Sequence, residues 1–130
     1  MLVTIADVLA GIIGVGIIAI GIRFLLQPQA SADGFGVKVL PGQGVRGYLS
    51  VKGVRDIVSG LVPLGLLIFA SAHTLGLVMV IEAVTPIGDG AIVLANKGPL
   101  SIKSRLAIAF GVHWATAVVC LVSGVILLAS

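Results

Sequence analysis

At 130 residues, with 58% apolar and 10% charged side chains and a mean hydropathy of +1.25, the chain is one domain on length and falls outside the range of water-soluble globular proteins. Its net charge of +3 does not mark a nucleic-acid binder, because no basic stripe is interleaved with aromatics and the basic residues flank apolar runs. Cys120 is the single cysteine, which excludes an intrachain disulfide and a cysteine metal cluster, and its apolar surroundings suit a small packed hydrophobe.

The first apolar segment covers about residues 5–26. Thr4 and Asp7 have capping-box spacing, with Thr4 as N-cap and Asp7 reaching back to the first-turn amides. Gly11, Gly14, Gly16 and Gly21 thin this helix where a neighbour can approach closely, which is how membrane helices associate. Ala30-Ser31-Ala32 fits a small-residue cleavage pattern, but the start lacks a positive region and the apolar run is too long, so cleavage is not expected.

Residues 27–52 form the one long connection, rich in Pro, Gly and Ser, and serve either as a solvated linker or as a lid over a pocket. Phe35 and Tyr48 are its expected membrane-interface anchors. A second span follows over about 54–72, with Pro63 bending it and Gly60 easing its packing. Ser71-Ala72-His73-Thr74 turns the chain tightly into a third span, 75–95, which Asn96-Lys97-Gly98-Pro99 stops before a fourth over 105–128.

These four spans predict an all-α integral membrane four-helix bundle. Arg23, Lys38, Arg46, Lys52, Arg55, Lys97, Lys103 and Arg105 all lie in or beside the first and third loops. The positive-inside rule therefore places those loops in the cytoplasm and both termini on the non-cytoplasmic side.

The third span carries Glu82, Pro86 and Asp89 at spacings that put them on one helical face. Acids facing lipid are costly, so both are expected to turn inward. Arg23, Arg55 and Asp56 at the helix mouths and His113 in the fourth span lie at overlapping depths, so one buried polar cluster drawn from all four helices is expected, with Glu82 at its far end. Gly88 and Gly90 flank Asp89 one turn after Pro86, which leaves room around its carboxyl. The plainer alternative is inter-helix glue, in which Arg23 and Arg55 reach the headgroups or pair with Asp56 and Asp89, and His113 bonds Thr116. No metal or cofactor is expected: the histidine and scattered acids lack ligand spacing, and no glycine-rich turn follows a strand to hold phosphates.

Arg23-Phe24-Leu25-Leu26 followed by Pro28, then Asp33-Gly34-Phe35-Gly36, Lys52-Gly53-Val54-Arg55-Asp56 with Gly60, Pro86 with Asp89, and His113 together resemble the small four-helix membrane family catalogued as domain of unknown function 4267. The resemblance covers almost the whole chain and implies a four-helix membrane protein. Similar fungal proteins of polyketide pathways are regarded as membrane epoxide hydrolases, which implies epoxide chemistry.

The expected function is a membrane-embedded enzyme that acts on a lipophilic small molecule by general acid-base chemistry, in its most specific form epoxide hydrolysis. One carboxylate takes a proton from water while a second acid protonates the departing oxygen. Asp56, Arg55 and Asp89 supply that kit, with His113 as an alternative base and Glu82 and Arg23 completing the cluster. Double-bond isomerisation would use the same groups. The rivals are an oligomeric proton- or ion-coupled transporter with Glu82 and Asp89 along its path, and a non-catalytic membrane scaffold built on the glycine-rich first segment. The lipid bilayer is a partner in every case, and a homo-oligomer in the transporter case.

Overall fold

The computed structural model describes residues 1–96 and 98–130, and all regular structure among them is helical. α1 runs Leu2–Leu26, α2 Pro28–Phe35, α3 Val45–Phe69, α4 Ala72–Glu82, α5 Val84–Ala95, α6 Ile102–Ile108 and α7 Ala115–Leu128, and a π-helical turn, Ala109–Trp114, joins α6 to α7. α4 and α5 continue as one helix over Ala72–Ala95, and α6 to α7 as another over Ile102–Leu128. With α1, these three are long and apolar enough to cross a membrane. α3 matches α1 in length at 25 residues, but its first half carries Arg46, Lys52, Arg55 and Asp56.

The packing is small inside and large outside. α1 buries Ala6, Ala10, Gly14, Gly21 and Phe24 and exposes Ile5, Val8, Ile12 and Val15. That is the pattern of helices held together by close backbone approach rather than by hydrophobic collapse. A Cβ placed on Gly14 would stand 2.9 Å from the Gly60 carbonyl oxygen, and one on Gly53 would stand 2.7 Å from that of Gly21. These two glycine pairs make α1 and α3 antiparallel neighbours. Gly76 and Gly124 repeat the device between α4 and α7, each 2.9 Å from the other's carbonyl by the same measure. Gly16 meets open space and Gly11 only an ordinary contact with Leu67, so Gly14 and Gly21 alone form the expected seam on α1. A cluster of Ala6, Ala10, Leu75, Met79, Ala83, Cys120 and Leu127 then joins α1, α4 and α7.

Several element boundaries differ from the sequence expectation. α1 begins at Leu2 with Met1 as N-cap and no side-chain cap, so Thr4 and Asp7 lie inside the helix and form no capping box; the apolar residues before Thr4 carry the helix on. The 27–52 connection is largely helical. Pro28 stands in the first turn of α2, where its missing N–H is harmless, and Gly36, with φ 98°, closes it in the left-handed conformation. Gly44, with φ 81°, precedes α3, so the irregular stretch is only 36–44. Phe35 is turned inward against Phe24 and His113 instead of anchoring at the interface, whereas Tyr48 is exposed.

The α3–α4 turn is shorter than expected: the Ser71 hydroxyl caps α4 by accepting from the Thr74 N–H at 3.2 Å. Ser101 caps α6 in the same way through Ser104, which starts the last helix three residues early. α5 ends at Ala95, where Arg105 donates to the carbonyls of Leu94 at 2.8 Å and Asn96 at 2.7 Å and closes the helix end. Lys97 of the expected stop lies outside the described residues.

Candidate functional site: a polar chamber between the helices

Pro86 brings no N–H to the carbonyl of Glu82 one turn back, and the helix steps at Ala83, between α4 and α5. Glu82, Pro86 and Asp89 then line one wall of a chamber of about 290 Å³. That volume is near the lower end for small-molecule sites. α3 contributes Lys52, Asp56 and Ser59, spaced so that they share one helical face. α1 adds Arg23 and Phe24, α2 adds Ser31 and Phe35, and the last helix adds His113, Thr116 and Cys120. Of the residues singled out in the sequence, Asp89, Asp56, Glu82, His113 and Arg23 therefore meet around one space.

Arg55 does not. It follows Lys52 by three residues but is exposed and absent from the chamber wall, because Gly53 and Gly60 turn toward α1 and leave it on the outer face of α3. The inward cation is Lys52, which the sequence places among the topology charges and in the family motif but not in the expected polar cluster. Its Nζ lies 2.7 Å from Asp56 Oδ2, the one ion pair among the described residues. The same nitrogen stands 4.6 Å from the ring centre of Phe24 and 4.7 Å from that of Phe35. A carboxylate and two aromatic faces thus fix one ammonium group.

His113 is buried in the π-helical turn, a kind of helix insertion that often marks functional positions. Its Nε2–H donates to the Phe35 carbonyl at 3.0 Å, since a carbonyl only accepts, and its ring packs 4.5 Å from the Phe35 ring. It does not bond Thr116, whose hydroxyl turns back to the Val112 carbonyl at 2.7 Å. His113 therefore ties α2 over the chamber, and Nδ1 remains for a ligand or water.

The room expected around Asp89 is half present. A Cβ on Gly88 would meet nothing within 4 Å, but the Gly90 side is filled by the Trp114 indole, whose N–H donates to the Ile87 carbonyl at 3.2 Å. Ser31 is a residue that the sequence reading missed. It is buried, lines the chamber, and its hydroxyl has no partner among the described residues. A second, apolar cleft of about 640 Å³ opens beside the chamber, lined by Val37, Val39, Val45, Tyr48 and Leu49 and sharing Phe24, Phe35, Lys52 and Asp89 with it.

No curated protein and no solved structure matches this chain. A family profile, described as Domain of unknown function (DUF4267), matches residues 14–127. Because that match takes in most of the chain and every residue lining the chamber, the chain belongs to the DUF4267 family.

Proposed function

We propose that this protein is a multi-pass membrane enzyme with four spans and both termini on the non-cytoplasmic side, which opens an epoxide of a lipophilic molecule with water inside the chamber. The observation that carries this reading is the meeting of Asp56, Asp89 and Glu82 with Lys52 and His113 in a pocket that also has apolar lining from Ile17, Ile20, Phe24, Phe35 and Val112. Two carboxyl groups in unlike settings are what the reaction needs. Asp56 has Oδ2 against Lys52, which leaves Oδ1 to accept a proton from water. The water oxygen bonds to one epoxide carbon while that carbon's bond to the ring oxygen breaks. Asp89, which has no ion pair among the described residues, gives the departing oxygen its proton. A proton passing from Asp56 back to Asp89 through water resets the site, and the product is a diol. His113 holds α2 in place, and Glu82 closes the deep end of the pocket.

The test is direct. Purified protein in micelles is given a mid-chain epoxide of octadecane in oxygen-18 water. The expected product is a diol carrying one heavy oxygen, formed faster than by the Asp89→Asn variant. Diol formed no faster by the parent protein than in protein-free micelles would end the epoxide assignment.

A further inference from the structure

Chamber and cleft meet at a waist, since Phe24, Phe35, Lys52 and Asp89 border both. From there the chamber runs toward Glu82 and Cys120, and the cleft runs the other way toward Val45 and Leu49. The cleft walls are almost wholly apolar, while polar groups gather at the waist and in the chamber. A ligand with its oxygen at one end and a single tail would leave to water either the cleft or the apolar part of the chamber lining at Ile17, Ile20 and Val112, which is unfavourable. A ligand with apolar arms on both sides of its oxygen suits both compartments at once.

Ser31 independently points to an oxygen or nitrogen function at this level. It lies one helical turn before Phe35, is 7% exposed, and its hydroxyl has no partner among the described residues. A buried hydroxyl left unbonded is costly, so a ligand group that bonds it gains affinity.

We propose that the bound molecule threads both compartments: an elongated apolar chain whose oxygen function lies inside the chain, seated at the waist beside Asp89 and Lys52 and bonded by Ser31. This rests on reading the chamber as a site for a lipophile, and it does not depend on epoxide chemistry.

The experiment offers the micelle-solubilised protein an equal mixture of two octadecanols, one with the hydroxyl in mid-chain and one with it at the end. One isomer is deuterated, so that native mass spectrometry resolves the two complexes. The mid-chain isomer is expected to lead by about tenfold in occupancy, equivalent to one compartment's worth of contacts. Val45→Trp and Val39→Trp, which fill the cleft from different backbone positions, are each expected to erase that lead and leave the end-hydroxyl isomer nearly unchanged. Ser31→Ala is expected to weaken the mid-chain isomer roughly threefold, the loss of one hydrogen bond.

Equal occupancy of the isomers in the parent protein overturns the proposal without needing any variant. So does a tryptophan variant, helical by circular dichroism, that weakens both isomers alike. Binding of neither isomer removes the lipophile site itself. Preferred binding of the mid-chain isomer without turnover of the matching epoxide supports this proposal and refutes only the reaction.

Discussion

Asp89 and Lys52 carry the sharpest tests at the level of single side chains. Asp89→Asn keeps size and hydrogen bonding but cannot transfer a proton, so the variant should fold normally and turn over at least about 100-fold more slowly. Turnover within a few-fold of the parent would remove Asp89 from the mechanism. Lys52 and Arg55 make a matched pair, three residues apart with opposite surroundings. Lys52→Met leaves Asp56 without its cation and should lower stability by about 1–3 kcal/mol as well as activity. Arg55→Ala on the outer face should stay within about 0.5 kcal/mol of the parent and keep its activity. Unfolding titrations of the two variants side by side decide the matter, and a silent Lys52→Met would return Arg55 to consideration. Spacing alone does not choose between them, because Arg55 stands three residues after Lys52 and four before Ser59 and so borders the same stripe of α3. The choice is made by packing: Gly53 and Gly60 press against α1, and Arg55, on the opposite side of the helix, is left exposed.

Among the elements, the long apolar helices were legible because their length and lack of charge admit few alternatives. The short ones were not. α2 was hidden because Pro28 and Gly36, which punctuate a sequence like loop residues, here start and stop a helix of eight residues. The π-helical turn left no trace, because a helix apolar on every side has no periodicity for an inserted residue to disturb. That turn and α2 are what bring His113 and Ser31 to the chamber, so the site was half legible: its acids from their cost in lipid, its lid only as one of two readings of the 27–52 connection and without its helix. The glycine seam gives this scale its prediction. A methyl on Gly21 would meet the Gly53 carbonyl at 2.5 Å, so Gly21→Ala should separate α1 from α3 and cost on the order of 1–3 kcal/mol. Gly16→Ala meets nothing within 4 Å and should be neutral or slightly stabilising, since alanine is the better helix former. Denaturant unfolding in micelles compares the two, and equal effects would mean that the seam is not tight.

For the molecule as a whole, the proposed orientation rests on the distribution of its charges and is open to a labelling test. In a Cys120→Ala background, single cysteines at Gln43 and Asn96 should react with an impermeant thiol reagent from the cytoplasmic side, and one at Ser130 from the opposite side. Labelling of Asn96 and Ser130 from the same side would overturn the four-span arrangement. The large aliphatic side chains on the outside of α1 and of the last helix, such as Ile12, Val15, Val118 and Val125, have a further consequence for calorimetry. A water-soluble chain of this length would take up on the order of 1.6–2 kcal/mol/K of extra heat capacity on unfolding, because apolar surface becomes hydrated. In the proposed membrane arrangement those side chains face hydrocarbon before and after the helices come apart, so little new apolar surface would meet water. The heat-capacity increment of helix dissociation should be a small fraction of the soluble figure, and the stability curve correspondingly flat, with no loss of the packed state on cooling.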